Sequence, residues 1–121
     1  MLGIIATEEQ NVALTAIVPV YNARDHIEPL VHGFLGIDGV RCQVILVDDH
    51  SNDGSTEEIA RMAAEFPEVM ALYQPANMGA GCARNLAFPH AQGRYTIFFD
   101  VDDRLHSEVI APTLGILNDE P

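Results

Sequence analysis

The sequence predicts a three-layer α/β/α fold with a mainly parallel sheet, and three observations support this. Four short apolar runs alternate with segments of helical periodicity, which is the β-α order typical of such folds. The apolar runs lack the alternation of a half-exposed strand, so both faces of the sheet are expected to be covered. Hydrophobic residues make up 48% of the 121 residues, which is enough for one core.

The first β-α unit is predicted from a β-branched run and the polar segment after it. Leu14–Val20 is expected to form the first strand. Asp25 with Glu28 has the spacing of a capping box, which predicts a helix from His26 to about Gly36. Because a proline inside a helix removes a hydrogen bond, Pro29 is expected in the first turn, which would make the helix start late.

The second unit has clearer boundaries. Gln43–Val47 is expected to form the second strand, followed by a polar loop at Asp48–Gly54. Ser55 with Glu58 is a second capping box, which predicts a helix to about Phe66, before Pro67.

The remaining elements follow the same order. A weaker third strand is predicted at Val69–Tyr73, then a glycine-containing loop and a helix from Ala80 to about Ala91. The fourth strand is predicted at Tyr95–Phe99, and a last helix at Ser107–Leu117. Residues 1–13 are expected to be an N-terminal extension, and residues 14–121 one domain.

Charge and composition exclude several classes of protein. Eighteen acids face six bases, all arginine, for a net charge of −12, which disfavours a nucleic-acid polymer as ligand. No apolar run approaches a membrane span, and residues 1–10 lack the positive start of a signal peptide, so a cytoplasmic location, including the inner membrane surface, is expected. Cys42 and Cys82 have no metal-site spacing and are expected to be reduced, partly buried thiols.

Polar residues cluster where the predicted strands end. In a parallel sheet these ends share one edge, where ligands bind. The residues expected there are Tyr21, Asn22, Asp48, Asp49, Asn77, Asp100, Asp102 and Asp103. Five carboxylates in one small volume would repel one another unless a cation bound them, and hard oxygen ligands suit Mg²⁺ or Mn²⁺. The pattern predicts a metal-assisted phosphate or nucleotide site.

Several other polar residues have either a structural or a functional interpretation. Asp25 and Asp53 are interpreted as turn or cap residues. Arg84 is interpreted as a cation that pairs with the aspartates or with a nucleotide, rather than as a surface arginine. His50 and His106 have ligand chemistry, but solvated loop histidines are the commoner case, and the helical histidines His26, His32 and His90 are given no role.

Competing α/β families lack support in the sequence. A receiver domain and a Walker A loop both need a lysine, and the chain has none. A dinucleotide-binding dehydrogenase needs GxGxxG after the first strand, where this chain has PVYNAR. The basic, glycine-rich loop of sugar-1-phosphate nucleotidyltransferases is also missing from that position.

Four motifs in register resemble one family. AIVPVYNA, VILVDDHSNDGS, NMGAGCARN and FFDVDD are similar, in order and spacing, to the N-terminal half of family 2 inverting nucleotide-sugar glycosyltransferases, which have the Rossmann-like GT-A fold. The resemblance covers about Thr15 to Leu117. It implies that residues 14–121 are a nucleotide-sugar-binding domain, truncated at its C-terminus. Family members often have glycine where His50 stands, so the loop backbone is expected to differ there.

The resemblance also implies roles for individual residues. Those expected to bind the nucleotide sugar are Pro19, Val20, Tyr21, Asn22, Asp48, Asp49, Asn77, Gly79, Arg84, Asp100 and Val101. Asp100 and Asp102 would form a DxD motif, with Asp100 towards the ribose and Asp102 on a Mg²⁺ or Mn²⁺ ion that bridges the diphosphate. Asp103 would flank that ion.

The implied activity is inverting transfer of a sugar from a nucleoside-diphosphate sugar, with UDP or GDP, to a hydroxyl of a saccharide, lipid or protein. The general base of this family is a carboxylate well downstream, so no residue up to Pro121 is assigned to that role. The alternative is a binding-only module that holds nucleotide and metal without catalysis. An unpaired outer edge on the fourth strand would also favour association into homo-oligomers.

Overall fold

The computed structural model describes residues 12–105, and they form a single parallel sheet covered by helices. The strands are β1 (Leu14–Val20), β2 (Cys42–Asp48), β3 (Val69–Tyr73) and β4 (Tyr95–Phe98), in the order β3-β2-β1-β4. Every neighbouring pair is parallel. The predicted fold class is therefore confirmed, and each strand boundary lies within one residue of its prediction.

The helices lie on both faces of the sheet. They are α1 (Arg24–Leu35), α2 (Ser55–Glu65) and α3 (Ala80–Ala87), and α3 continues into a short 3₁₀ turn at Phe88–His90. Helices α1 and α2 cover one face, where Phe34, Ile59 and Met62 are fully buried. Helix α3 covers the other face through Ala83 and Ala87. This arrangement gives the three layers that the apolar strands predict.

The two central strands are almost entirely buried because each has a strand on either side and helices above and below. All seven residues of β2 are buried, as are six of the seven in β1. Burial also raises the pKa of the Cys42 thiol to about 11, so it stays protonated. Cys82 is exposed, contrary to the expectation of partial burial, and both cysteines are free.

Helix α1 starts earlier than predicted, and its capping box does not form. The backbone N–H groups of Ala23 and Arg24 donate to Ser55 Oγ (3.0 Å) and Asp53 Oδ2 (3.3 Å), so the acceptors come from another loop. The helix can therefore begin at Arg24, and Pro29 is accommodated inside it. The expectations that the helix starts at His26 and that Pro29 lies in its first turn are wrong.

Helix α2 begins where predicted but is capped differently. Its N-cap is Gly54, and Asp53 Oδ1 accepts hydrogen bonds from the N–H (2.9 Å) and hydroxyl (2.6 Å) of Ser55. Glu58 instead accepts two hydrogen bonds from the Arg61 guanidinium. The predicted capping box of Ser55 and Glu58 is therefore wrong, and Asp53 supplies the acceptor.

Several earlier expectations fall outside the described residues. The helix expected at Ser107–Leu117, His106 and most of the N-terminal extension lie there. Within residues 12–105, no helix combines the length and the apolar character that crossing a bilayer requires. Strand β4 is an edge of the described sheet, and association through it stays a prediction.

A buried polar cluster ties the segment before β4 to the amino ends of the central strands. The Thr15 hydroxyl donates to Gln43 Oε1 (2.7 Å) and accepts from the Gly93 N–H (2.8 Å). Gln43 Oε1 also accepts the N–H of Gln92 (2.8 Å). A Cβ on Gly93 would lie 2.5 Å from the Thr15 backbone nitrogen, so only glycine fits this approach.

The close approach at Gly93 predicts a stability defect in Gly93→Ala. The added methyl meets backbone rather than a flexible side chain, so we expect a loss of about 1–3 kcal/mol in the free energy of unfolding. Urea unfolding followed by circular dichroism measures it. Gly81→Ala is the matched control, because nothing lies within 4 Å of its added Cβ and alanine favours helix α3. A Gly93→Ala protein as stable as the wild type would contradict this packing.

Candidate functional site

A cleft of about 330 Å³ lies at the carboxyl ends of the strands, as the parallel topology predicts. Its lining includes most of the residues that the sequence singled out. The predicted residues in the lining are Pro19, Val20, Tyr21, Asn22, Asp49, Asp100, Val101 and Asp102. Three further lining residues, Ala23, His26 and Ala80, were not predicted. The site therefore combines the loop after β1, the end of β2, the start of α3 and the segment after β4.

Asp49 connects the cleft to the loop that precedes helix α3. Its carboxylate accepts hydrogen bonds from Gln74 Nε2 (2.8 Å), the Met78 N–H (2.7 Å) and the Gly79 N–H (3.0 Å). The side chain of Asp49 is buried, and its own N–H donates to the Val20 carbonyl (2.8 Å). Three donors compensate the burial of this charge. Asp49 therefore shapes the site structurally as well as lining it.

Asp48 points away from the cleft. Its carboxylate accepts the Ser51 N–H (3.1 Å) and the Thr56 hydroxyl (2.5 Å), which fixes the loop before helix α2. Successive side chains in a strand point to opposite faces, so Asp48 and Asp49 diverge at the end of β2. Asp48 does not line the cleft, although a supporting role for it in this loop agrees with these contacts.

The loops after β1 and β2 are joined through Asn22. Its N–H donates to Ser51 Oγ (3.0 Å), and its Oδ1 accepts the Asn52 N–H (2.9 Å). Asn22 has a φ of 49°, in the left-handed region, which asparagine tolerates better than most residues. The two loops thus hold each other in place at one wall of the cleft.

Asp53 supports the same wall from outside the cleft. The hydrogen bond from the Ser55 hydroxyl lowers the pKa of the Asp53 carboxyl, and backbone donors add to this effect. Its two oxygens serve the amino ends of α1 and α2, as described above. The interpretation of Asp53 as a local turn or cap residue was therefore too narrow, because it also joins two elements.

Asn77, Gly79 and Arg84 do not line the cleft. Asn77 is exposed, while Gly79 caps helix α3 and contributes its N–H to Asp49. The Arg84 guanidinium lies over the Phe98 ring, 5.5 Å from its centroid, and its buried Nε has no hydrogen-bond partner in the described chain. Among residues 12–105, Arg84 forms no ion pair with an aspartate, so that part of the expectation is wrong.

The acidic segment after β4 is open to solvent. Asp100, Asp102 and Asp103 are exposed, and only the first two line the cleft. Within residues 12–105, no three acidic, histidine or cysteine side chains come together as a metal site. The expected convergence of five carboxylates is therefore wrong, because Asp48 and Asp49 bind loop groups. Two exposed carboxylates still fit a Mg²⁺ or Mn²⁺ ion that completes its shell with water and substrate phosphates.

The structure is a three-layer α/β domain with an acidic cleft at the carboxyl edge of its sheet. Sequence comparison matches residues 15–121 to Glycosyl transferase family 2. The chain belongs to this family, in agreement with the resemblance seen in its motifs.

Relatives and solved structures agree with that membership. TuaG of Bacillus subtilis, named for a role as a teichuronic acid biosynthesis glycosyltransferase, is 40% identical over 104 residues, covering 86% of this chain and 41% of TuaG. S. aureus TarS, solved with UDP, has the same fold, with a TM-score of 0.77 at 24% identity over 88% of this chain and 32% of TarS. The chain thus spans less than half the length of these proteins.

A third similar protein was solved with both a donor and a metal. The mannosyltransferase PcManGT from Pyrobaculum calidifontis, in complex with GDP-Man and Mn²⁺, has a TM-score of 0.66 and 29% identity. The match covers 74% of this chain and 27% of PcManGT.

The backbone conformation of His50 leads to a prediction about the stability of the protein. Its φ of 64° lies in the left-handed region that favours glycine. This conformation costs a residue with a Cβ about 1–2 kcal/mol, while glycine loses about 0.5–1 kcal/mol more in chain entropy on folding. We therefore expect His50→Gly to raise the free energy of unfolding by up to about 1 kcal/mol, measured by urea denaturation.

His50→Ala is the control for this substitution. It removes the imidazole but keeps the Cβ, so it should bring no gain in stability. If His50→Gly unfolds more easily than the wild type, the strained backbone at this position is not the dominant effect.

Proposed function

We propose that this chain binds the donor nucleotide of a glycosyltransferase in the cleft at the carboxyl edge of its sheet, together with a divalent cation. The observation that carries the proposal is the meeting of three separate segments in that cleft. Tyr21 and Asn22 come from the loop after β1, Asp49 from the end of β2, and Asp100 and Asp102 from the segment after β4. Family membership supports a nucleotide-sugar donor.

The individual roles follow from exposure and contacts. Tyr21 is 49% exposed, so its ring offers a free face on which a nucleotide base can stack. The Asp49 carboxylate accepts three hydrogen bonds, and these hold the backbone of the loop before α3 in one conformation. Asp100 and Asp102 are exposed carboxylates, and we assign Asp102 to the cation.

The proposed reaction is inverting transfer of the sugar to an acceptor hydroxyl. A nucleoside diphosphate then leaves, and a bound Mg²⁺ or Mn²⁺ would stabilise the negative charge that grows on it. Asp102 would hold this cation at the cleft, next to Asp100 and Val101. The Mn²⁺ and GDP-Man in PcManGT support both the metal and the class of donor.

The names of relatives favour a polymer of the cell surface as the product. TuaG is named for teichuronic acid biosynthesis, and another relative is a poly(ribitol-phosphate) beta-glucosyltransferase from Bacillus spizizenii. We therefore propose a saccharide or polyol hydroxyl as the acceptor.

A second candidate is nucleotide binding without transfer. It is favoured by the roles of the acids in the cleft, because Asp49 is engaged by three donors, Asp100 is assigned to the ribose and Asp102 to the cation. Among the described lining residues, no carboxylate is left to act as the general base that deprotonates an acceptor hydroxyl. Both candidates require the same nucleotide site, so a binding experiment tests what they share.

Calorimetric titration with UDP and GDP, with and without Mn²⁺, tests the site. We expect one of the two to bind, and Mn²⁺ to strengthen binding. Asp102→Ala should lower the Mn²⁺-dependent affinity by on the order of 10- to 100-fold, because it removes a direct metal ligand. The fold should survive, since Asp102 is exposed.

Asp38→Ala is the matched control, because Asp38 is an exposed aspartate in the turn before β2, at the opposite edge of the sheet. Its affinity should equal that of the wild type. Absence of binding to both nucleotides, or an Asp102→Ala variant with undiminished Mn²⁺-dependent binding, would refute the assignment.

A further inference from the structure

Helix α1 places in the cleft a histidine that sequence patterns do not single out. His26 lies in the first turn of α1 and lines the cleft with Asp100 and Asp102. Its imidazole is exposed and makes no hydrogen bond or ion pair with any residue in the 12–105 range. His32, further along the same helix, instead contacts Glu28 at 3.5 Å and the Phe66 ring.

The charges that line the cleft are unfavourable for an anionic ligand. Three lining residues are aspartates, and none is an arginine. Asp49 is compensated by its hydrogen bonds, whereas Asp100 and Asp102 are exposed, and their charges would repel a diphosphate unless a cation were bound. Among the described lining residues, His26 is the one side chain that is able to carry a positive charge.

The position of His26 suits the diphosphate end of the cleft. His26 and Val101 also line an adjoining cleft of about 300 Å³, together with Asp103 and Arg104. Val101 lies between Asp100 and Asp102, so His26 borders the acidic segment, and a further hollow that it lines with Asn22 and Asp53 places it beside the loops after β1 and β2 as well. The loop after β1, Asp49 and the first residue of α3, Ala80, complete the rest of the lining.

Within residues 12–105, His26 is not part of a preformed three-residue metal site. Imidazole nitrogen is a common ligand for transition metals, and two aspartates line the same cleft. Yet no three such side chains within residues 12–105, these included, come together as a metal site. The ring nitrogens of His26 are therefore left available to a ligand that enters the cleft.

We propose that His26 binds the phosphate groups of the donor, donating a hydrogen bond from its imidazole to a phosphate oxygen. This inference rests on the proposed nucleotide site and adds to it a protein donor on the side of the acidic segment. A hydrogen bond to a charged phosphate is stronger than one between neutral groups, so a single contact of this kind has a measurable effect on affinity.

The test compares four forms of the 121-residue chain by calorimetry with UDP and GDP in the presence of Mn²⁺. His26→Ala should lower the affinity about tenfold, as expected for the loss of one charge-assisted hydrogen bond. His26→Gln keeps an N–H donor and should recover part of that loss. His32→Ala is the control on the same helix and should bind like the wild type. Thermal unfolding of each variant checks that the fold is intact.

Nucleosides, which carry no phosphate, show which part of the nucleotide His26 contacts. Uridine and guanosine, titrated by NMR, should bind the wild type and His26→Ala equally, because neither carries a phosphate. If His26→Ala weakens the binding of nucleoside and nucleoside diphosphate equally, His26 contacts the base or the ribose, and the proposal is overturned. Unchanged diphosphate binding in His26→Ala would overturn it while leaving the proposed function intact. A wild type that binds neither diphosphate would overturn both.

Discussion

The carboxylate of Asp49, buried at the end of β2, is the interaction on which the shape of the cleft depends. Only 5% of the residue is exposed, so its charge requires compensation, and Gln74, Met78 and Gly79 provide it. The same residue donates its N–H to the carbonyl of Val20. One side chain thus connects the two central strands to the loop that starts helix α3.

Hydrogen bonds between the loops after β1 and β2 hold another wall of the cleft in place. Asn22 and Ser51 join the loops after β1 and β2, and Asp53 and Ser55 join the same loops at the start of helices α1 and α2. These loops are therefore ordered before any ligand arrives, which reduces the entropy lost on binding. In contrast, Asp100 and Asp102 are exposed on the segment after β4. The cleft combines a fixed wall with carboxylates that are free to bind a cation.

The strands, and the edge of the sheet at which the cleft lies, were predictable from the sequence because both depend on local patterns. Buried parallel strands are continuous apolar runs, and their order along the chain determines which edge carries the loops. The start of helix α1 was mispredicted because the acceptors for Ala23 and Arg24 come from Ser55 and Asp53, some 30 residues away in sequence.

The positions of the site residues were likewise harder to predict where they depend on contacts distant in sequence. Asp48 and Asp49 are adjacent in sequence, but the alternation of strand side chains sends them to different loops, so only one lines the cleft. Arg84 contacts the Phe98 ring, a pairing between α3 and β4 that the spacing of the two residues in sequence does not reveal. His26 was correctly predicted to be helical and was given no role for that reason, because only the packing of α1 beside the segment after β4 brings it to the cleft.

Amide hydrogen exchange at Met78 and Gly79, followed by NMR on the ligand-free chain, tests most directly whether Asp49 orders the cleft. Because both N–H groups donate to the Asp49 carboxylate, they should exchange much more slowly than the amide of exposed Asn77, and Asp49→Asn should remove most of that protection. Exchange at Met78 and Gly79 as fast as at Asn77 in the wild type would contradict the claim that this carboxylate holds the loop.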